Sequence, residues 1–510
     1  MRNSKIDNIS LGLMFSGAFF VRFFLISYQS YIENDGVSYV RMAKQWVEEG
    51  RFPEGIFPPL YPLLIGLAHK LFPNYELAGR MISALAGTLA LVPVFLLCHR
   101  IYERRTAFYT LTLAIFYPAL VENAVTVMTE SVYLCLVMSA LYATFMGFHS
   151  RRLTWFLLAG LLISGAYYTR PEGLLYLLVF LLFGLLLRYK RTLSWSSLKG
   201  LALLTAVTLT ITVPYMAYIG GISKKEEMVV VYAQAVGKRD ISRGIDEAVK
   251  EHYIQGKKVE ASLFAEFLNH PVQVVKRFAF NLFLFVKYVI PGLFPTLTLM
   301  TLAIGLLQIR LSFKEWDELF LLFSLSPTVA LFFFFVTYHR FFIFGVPIGL
   351  MFCAKGLGVI QERLCKWSWR HSILRHIPLA VLVFSLLPYT FRPVYRPEPK
   401  PYREAGEWLK THAKGPIRVL DIKPQVAFYA EAEYIYMPIG RYEEIMEYAL
   451  KRGATHMVID QGDVLEARPE LSFLIYRSGN HPLLKRVAVF PYDGRRLVIW
   501  EIRNSLQNSG

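Results

Sequence analysis

The segment NDGVSYVRMAKQWVEEG (residues 34–50), closely followed by FPPLYPLLIGL (57–67), carries the pattern that is most informative about the fold. Its apolar residues recur with the spacing of one helix face, at Tyr39, Met42, Ala43, Trp46 and Val47. This spacing predicts an amphipathic helix over residues 37–49, which Gly50 ends. We expect the helix to lie along a membrane surface, because the polar stretch 30–76 that contains it separates two long apolar segments.

The composition of the 510-residue chain indicates a membrane protein. Hydrophobic residues make up 55% of it and the mean hydropathy is +0.38, whereas soluble domains contain about 45–50% apolar residues even with Gly counted. Its apolar residues form runs of the length that crosses a bilayer, about 17–25 residues. We predict about eleven spans, at residues 9–28, 78–98, 106–121, 131–148, 153–169, 173–188, 198–219, 295–311, 319–337, 341–359 and 373–391.

The net charge of +17 is explained by membrane topology, and we predict no binding to nucleic acid. Basic residues cluster in short loops between the predicted spans, namely HRIYERR (99–105), HSRR (149–152), RYKR (188–191) and QERLCKWSWRHSILR (361–375). Short cytoplasmic loops are enriched in Lys and Arg, so we place these loops and the N-terminus in the cytoplasm. The chain is then a multi-pass protein of the cell membrane, with residues 30–76, 220–275 and the C-terminal part outside.

One apolar stretch, residues 276–294, carries Lys276, Arg277 and Lys287 and ends in a Pro-Gly pair followed by Leu-Phe. A further span here would invert the topology of every later segment. We therefore predict a helix that lies along the membrane interface, with its long basic side chains reaching water.

The chain after residue 392 differs in kind from the part before it. Helical and strand-like patterns alternate, and two closing strands, RVAVF (486–490) and RLVIWEI (496–502), are joined through Tyr-Asp-Gly, a hairpin signal. We predict a transmembrane domain over residues 1–392 and a soluble, extracytoplasmic α/β domain over residues 393–510. The C-terminal domain has no Cys, so no disulfide framework is implied, and the sequence contains no nucleotide-binding or HExxH motif.

Asp35, just before the amphipathic helix, has two interpretations. Asp is a favoured helix N-cap, which gains about 1 kcal/mol by accepting a backbone N–H. A capped carboxylate is also fixed in position, so the same residue can act as a catalytic base. The prolines between Phe57 and Pro62 also have two interpretations. They either start the next helix or shape the wall of a groove.

Further charged residues lie inside predicted spans or at their outer ends. Glu130 falls where an apolar run resumes, and a charge inside a bilayer costs about 2.5–3.5 kcal/mol on insertion scales, so we expect it to face a wet cavity. Arg170 and Arg340 lie at outer ends of spans, where they can bind an anion. The alternatives are that Arg170 pairs locally with Glu172, and that Arg340 and His339 simply reach for water at a helix turn.

Taken together, these motifs resemble the GT-C fold glycosyltransferases that use polyprenyl-phosphate sugars, specifically glycosyltransferase family 39 and its bacterial relatives. The shared features are an outward first span, an acid four residues before Tyr39, the amphipathic helix and the PPLYP run. The resemblance continues at VMTESVYL (127–134), YYTRPEGLLYL (167–177) and TYHRFFIFGVPIGL (337–350). Many members have Asp-Glu where this chain has Asp35-Gly36, so a second acid would either be absent or come from elsewhere, with Glu33 and Glu130 as candidates.

This resemblance implies an enzyme that transfers a sugar, with inversion, from a polyprenyl-phosphate donor to a lipid, glycan or protein acceptor on the outer face of the membrane. Asp35 would be the general base. Arg170, Arg340 and His339 would bind the donor phosphate, which an Arg side chain grips through a bidentate fork. The groove would be shaped by Tyr39, Pro58, Pro59 and Tyr61. The resemblance implies no certain cofactor, and we identify no metal ligands.

Two other classes of protein fit the same composition. A transporter or flippase for a lipid-linked sugar would also have charged residues within the membrane. Such proteins often have internal repeats of broken helices, however, and none is visible in the sequence. A non-catalytic cell-envelope assembly protein would need no acid before the amphipathic helix. Convergence of Asp35, Glu130, Arg170 and Arg340 in one cavity would favour the enzyme.

Overall fold

The computed structural model describes residues 2–53, 55–190, 194–224, 271–309, 315–327, 339–367, 376–396, 400–477 and 481–503. Most of the predicted outer loop 220–275 lies outside the described residues, as does the end of the predicted span 319–337. The described chain divides into two compact units. The first contains residues 2–28, 39–224 and 271–395, and the second contains residues 29–38 and 396–503, with the gaps given above.

Up to residue 395, the described chain is helical apart from its connecting turns. The helices are α1 (Arg2–Ile26), α2 (Asn34–Glu49), α3 (Leu60–His69), α4 (Tyr75–Leu89), α5 (Leu91–Ile101), α6 (Arg104–Ile115), α7 (Pro118–Asn123), α8 (Glu130–Ser150), α9 (Leu153–Thr169), α10 (Leu174–Tyr189), α11 (Trp195–Ile219), α12 (Pro271–Leu284), α13 (Ile290–Leu293), α14 (Thr296–Leu306), α15 (Asp317–Phe323), α16 (Val346–Trp367), α17 (Ile377–Thr390) and α18 (Arg392–Tyr395). Short 3-10 helices cover Pro171–Gly173 and His339–Gly345, and a π-helical turn, Phe285–Val289, joins α12 to α13.

Among the described residues, six helical segments are long and apolar enough to cross a membrane, or up to seven if one bent pair counts as a single span. The six are Ile9–Ile26, Tyr75–Ile101, Glu130–Ser150, Pro171–Tyr189, Trp195–Ile219 and His339–Leu364. Each coincides with a span predicted from the sequence. The shorter apolar helices Leu153–Thr169 and Ile377–Thr390 coincide with two more. The predicted class, a polytopic α-helical membrane protein, is confirmed, whereas the number of eleven spans stays a prediction.

The stretch 276–294 belongs to the bent pair of helices. The segment Val274–Leu293 is followed, after a short break, by Thr296–Leu306 at an angle of 112°. The helical segment continues through Pro291 and Gly292 and the bend follows at Phe294 and Pro295, so the charged stretch does not continue straight into the next helix. Its position along the membrane interface stays a prediction.

Helices α14 and α16 pack with their backbones in direct contact through glycines. A Cβ atom added at Gly305 in α14 would overlap the carbonyl oxygen of Phe352, and one added at Gly356 in α16 would overlap the carbonyl oxygen of Thr301. Small residues at such crossings let two helices approach closely, and van der Waals packing then holds them together within a membrane. Gly358, also in α16, has open space where a Cβ would be.

The second unit is an α/β domain, as predicted, and its five strands form one sheet in the order β2-β1-β3-β5-β4. The strands are β1 (Arg418–Asp421), β2 (Glu433–Tyr436), β3 (His456–Asp460), β4 (Leu484–Tyr492) and β5 (Arg495–Ile502). Strand β1 pairs in parallel with β2 and β3, whereas β5 is antiparallel to β3 and β4. The helices are α19 (Pro401–His412), α20 (Gln425–Tyr429), α21 (Tyr442–Lys451), α22 (Gln461–Ala467) and α23 (Phe473–Tyr476), with a 3-10 turn at Pro469–Leu471.

Helices cover both faces of this sheet, because successive strand residues point to opposite sides. In β3, Val458 packs in a core with residues of α19 and α20, whereas Met457 and Ile459 pack in another core with residues of α21 and α22. The predicted hairpin turns at Asp493 and Gly494, whose φ angles of 41° and 72° are both positive, as a type I′ turn requires.

Residues 29–38 belong to the second unit. The amide of Ile32 donates to the hydroxyl of Tyr429 at 2.7 Å, and Gln425 Nε2 donates to Asn34 Oδ1 at 2.5 Å. No pattern in the sequence predicts these contacts, since the first pair is 397 residues apart in the chain. The domain boundary between residues 392 and 393 stays a prediction.

We expect Gly356→Ala to destabilise the protein by about 1–3 kcal/mol, the usual cost of overpacking, because the added methyl group overlaps a backbone carbonyl that cannot move aside. Gly358→Ala is the matched control on the same helix, and its open surroundings should leave stability unchanged or slightly higher. Thermal unfolding of both variants in detergent measures the difference. Equal melting temperatures would contradict the close approach of α14 and α16.

Candidate active site

The amphipathic helix predicted over residues 37–49 is α2, and Gly50 follows it with a positive φ of 65°. The helix begins at Asn34, and the amide of Val37 donates to the backbone carbonyl of Glu33 at 3.1 Å. Asp35 is therefore a residue of the first turn and not the N-cap, which corrects the capping interpretation. A carboxylate in the first turn still interacts favourably with the helix dipole. Asp35 is half-buried.

Tyr39 holds α2 against the proline-containing segment that follows it. Its ring centroid lies 4.6 Å from that of Phe57 and 5.2 Å from that of Tyr61, and both contacts are edge-on. Tyr61 is fully buried, and Pro58 and Pro59 are buried as well. These side chains are thus part of the packing between α2 and α3.

Pro58 also lines a small cavity in the first unit. The cavity has an aromatic wall made by Tyr167 and Tyr215, and Pro171 and Lys224 contribute to its lining. A groove-shaping role of Pro58 stays a prediction, and the cavity is the feature that supports it.

A buried ion pair joins two of the charged residues that the sequence singles out. Arg170 Nη1 donates to Glu130 Oε1 at 3.0 Å, and the two side chains are 13% and 1% exposed. Arg170 Nη2 lies 3.5 Å from a carboxylate oxygen of Glu172, so the local pairing that the sequence allows is present too. The second oxygen of Glu130, Oε2, is buried and has no hydrogen-bond partner among the described residues.

Local sequence explains why Arg170 can reach Glu130. Arg170 ends α9 in an extended conformation, with φ −150° and ψ 131°, because the residue before a proline is pushed out of the helical region. Pro171 then starts the next helical turn. Glu130 is the first residue of α8, where the helix dipole favours a carboxylate.

The guanidinium of Arg170 also lies over two aromatic rings, at 5.9 Å from the centroid of Tyr133 and 5.6 Å from that of Phe344. Phe344 belongs to the 3-10 helix His339–Gly345, whose first two residues are His339 and Arg340. The structure thus brings together the three later motifs of the predicted family resemblance. Such rings stabilise a cation by about 0.5–2 kcal/mol each and exclude water from around it.

Arg340 and His339 are both exposed. The carbon Cζ of Arg340 lies 5.3 Å from the ring centroid of Phe341, and His339 Nε2 donates to the carbonyl oxygen of Tyr288 at 3.1 Å. A ligand can therefore reach both side chains from outside the protein.

The predicted site residues fall into both units. Glu33 and Asp35 lie in the segment 29–38 of the second unit, whereas Glu130, Arg170 and Arg340 lie in the first. Glu130 and Arg170 are in contact, and Phe344, from the turn that contains Arg340, lies beside Arg170. Convergence of the predicted site residues in one cavity stays a prediction. The position of Asp35 beside them stays a prediction.

Sequence reasoning did not identify three neighbours of Arg170. They are the rings of Tyr133 and Phe344 and the hydroxyl of Thr129, whose Oγ1 lies 3.4 Å from Arg170 Nη1. Uncharged residues inside apolar runs carry little signal of their own, although all three belong to the motifs that show the family resemblance. Among the residues that the structure describes, no three His, Cys, Asp or Glu side chains are grouped as metal ligands would be.

Removing Arg170 should leave Glu130 as an unpaired buried charge, so we expect Arg170→Met to cost about 3–5 kcal/mol of stability. The double variant Arg170→Met with Glu130→Gln should be more stable than the single variant, because no charge is then left buried. Arg152→Met, at an exposed Arg of the same unit, is the control. Thermal unfolding in nanodiscs measures these three variants and the single variant Glu130→Gln. A double variant that loses as much as the two single changes added together would show that the two residues are not coupled.

Comparison with known proteins supports the predicted resemblance in sequence. The sequence profile of the dolichyl-phosphate-mannose-protein mannosyltransferases matches residues 57–218, the segment that contains Glu130 and Arg170. No curated protein sequence matches the chain.

Solved structures show the same fold. The apo oligosaccharyltransferase of Archaeoglobus fulgidus matches with a TM-score of 0.61 and 14% identity, over 90% of this chain and 71% of that one. The archaeal oligosaccharyltransferase AglB of the same organism, in complex with an inhibitory peptide and a dolichol-phosphate, has a TM-score of 0.57 and 14% identity over 98% and 75%. ArnT from Cupriavidus metallidurans bound to undecaprenyl phosphate has a TM-score of 0.55 and 14% identity over 97% and 98%.

At these identities the solved structures establish the fold, and the profile match adds the resemblance in sequence. Together they confirm the prediction from the motifs: the chain has the GT-C fold and resembles the family-39-like glycosyltransferases that use polyprenyl-phosphate sugars.

Proposed function

We propose that the protein is a membrane glycosyltransferase that transfers a sugar from a polyprenyl-phosphate donor to an acceptor hydroxyl. The observation that carries this proposal is the buried Glu130–Arg170 pair, in the segment 57–218 that matches the mannosyltransferase profile. Two solved structures of the same fold contain dolichol-phosphate or undecaprenyl phosphate, which are ligands of the class proposed here.

The proposed reaction mainly requires positively charged side chains that stabilise the leaving phosphate. The bond between the anomeric carbon and the phosphate oxygen breaks, and the phosphate leaves with the bonding electrons as a stable anion. It therefore needs positive partners more than it needs a proton. Arg170, Arg340 and His339 are proposed to bind this phosphate, through charge-assisted hydrogen bonds that are roughly twice as strong as neutral ones.

Glu130 is proposed to act through Arg170 and not on the substrate. One of its oxygens holds the guanidinium at 3.0 Å, which fixes the direction of the remaining N–H donors. Glu130 is thus a positioning residue, and Glu33 remains the other candidate for a second acid.

Asp35 is proposed as the general base. The acceptor oxygen attacks the anomeric carbon from the side opposite the phosphate, which inverts the configuration, and its proton passes to the Asp35 carboxylate. General-base assistance of this kind contributes typically about 10²–10⁴-fold to the rate. The acceptor is proposed to be a lipid, a glycan or a protein, and the sugar a hexose or a pentose.

The proposed orientation places the N-terminus in the cytoplasm and the C-terminal domain outside the cell membrane, since the basic loops share one side. A cysteine introduced at Ser150, which is exposed, should react with an impermeant reagent only after the membrane is opened.

The test of the activity is to incubate membranes that contain the protein with a panel of polyprenyl-phosphate sugars and to identify the products by mass spectrometry. A glycosyltransferase releases polyprenyl phosphate and forms a new glycosidic bond. A flippase would move the lipid-linked sugar without changing it, and an assembly protein would do neither.

Asp35→Asn should lower the chemical step by at least about 10²-fold, because an amide cannot accept the proton at neutral pH. The folded protein should be retained, since Asn has nearly the same size as Asp and the lost first-turn interaction with the helix dipole is worth about 0.3–1 kcal/mol. Glu49→Gln, the same chemical change at an exposed residue of α2, is the control. Folded yield, donor binding and turnover are measured on one preparation. Turnover within a few-fold of the parent would remove Asp35 from the chemistry.

Arg340→Ala should weaken donor binding roughly tenfold or more, because the phosphate loses a charge-assisted hydrogen bond worth about 1.5–3 kcal/mol. Arg340→Lys should restore only part of the affinity, since Lys lacks the planar fork. Arg104→Ala is the matched control, because Arg104 is also exposed and also lies over a Phe ring. Donor affinity that stays the same in Arg340→Ala would assign Arg340 to simple solvation at the end of a span.

A further inference from the structure

The C-terminal domain contains a cleft of about 650 Å³, a size typical of pockets for small ligands. It lies at the carboxyl ends of β1 and β3, which are parallel neighbours in the sheet. Lys423 follows β1, Asp460 is the last residue of β3, and Asp463 comes shortly after it. Every residue that lines the cleft belongs to the second unit.

This position is the topological switch point of the sheet. Strand β1 lies between β2 and β3 in the sheet. The chain passes from β1 through α20 to β2, and then from β2 through α21 across β1 to β3. The two connections therefore leave the sheet on opposite faces, and a crevice opens between the carboxyl ends of β1 and β3. Open α/β sheets bind their ligands in such crevices.

The lining is polar and aromatic. Tyr31 and Tyr402 meet edge-on, with ring centroids 5.2 Å apart, and Tyr492 contributes a third ring. The Tyr492 hydroxyl donates to Asp460, and the Asp463 carboxylate lies 2.7 Å from Lys423 Nζ. Aromatic rings can pack against the C–H groups of a ligand, and the neighbouring carboxylates can accept hydrogen bonds from its hydroxyl groups.

The charge of the cleft limits the class of ligand that it can bind. Asp460, Asp463, Glu466 and Asp493 line the cleft against two cations, and one of these, Lys423, is already paired with Asp463. A phosphorylated or acidic ligand would be repelled. A neutral ligand with many hydroxyl groups is not repelled by the excess of carboxylates, since carboxylates accept hydrogen bonds from hydroxyl groups.

We propose that this cleft is a carbohydrate-binding site for a neutral saccharide. The proposal does not rest on the glycosyltransferase activity, because binding requires no donor and no transfer step.

The test measures binding of maltotriose, mannotriose and chitotriose to the full-length protein in nanodiscs, by saturation-transfer NMR and calorimetry, without any donor. At least one trisaccharide should bind, and glucose should compete for the site better than glucose 6-phosphate. If none of the three binds, or if the phosphorylated sugar competes better, the proposal is overturned.

Two variants locate the site. Asp463→Asn should weaken saccharide binding roughly tenfold or more, because hydrogen bonds to a charged group are stronger than those to an amide. Glu447→Gln is the matched control, the same change at an exposed residue of α21 that is paired with Lys451 outside the cleft.

The second variant is Leu465→Lys, which tests the site without the risk that a folding defect explains the loss of binding. Leu465 lines the cleft but is 50% exposed, so the change leaves the core intact while it places a long side chain in the opening. Binding should fall in Leu465→Lys as well. Parent-like affinity in both cleft variants would place the saccharide elsewhere and refute the proposed site.

Discussion

The ion pair between Glu130 and Arg170 is the constraint on which the candidate site depends. A carboxylate that is 1% exposed in a membrane-spanning helix cannot remain without a cation, since insertion of a charge costs about 2.5–3.5 kcal/mol. Pro171 sets where α9 ends, and the ion pair then fixes the direction of the Arg170 side chain beside the rings of Tyr133 and Phe344. It also leaves one oxygen of Glu130 unpaired, so the cost of burial is only partly offset. A residual cost of this kind is typical of positions retained for binding or chemistry.

Two sites with opposite chemistry follow from the two units. In the first, the guanidinium groups of Arg170 and Arg340 lie near aromatic rings and are proposed to bind the phosphate of a lipid donor. In the second, the acidic and aromatic lining of the cleft suits the hydroxyl groups of a neutral sugar. The same division explains the charge of the chain: its large positive excess lies in the basic loops between spans, whereas the cleft has more carboxylates than cations.

The segment that carries Asp35 is held by the C-terminal domain. Hydrogen bonds from Ile32 to Tyr429 and from Gln425 to Asn34 fix the chain just before Asp35. The orientation of the proposed base therefore depends on the folding of a domain that begins more than 350 residues later. This dependence gives the C-terminal domain a physical role in the proposed reaction, besides the proposed binding of a saccharide.

The sequence by itself determined the features that depend on local pattern. Long apolar runs predicted the spans, the apolar spacing from Tyr39 to Val47 predicted α2 and its end at Gly50, and the Tyr-Asp-Gly turn predicted the last hairpin. Only the tertiary structure decided the partners: Glu130 with Arg170, 40 residues apart, and Asn34 with Gln425, 391 residues apart. It also moved the start of α2 ahead of Asp35, which local capping preference had placed at the boundary. The reason is that helices and turns form from contacts between near neighbours, whereas a buried charge takes whichever partner the packing of distant elements brings within reach.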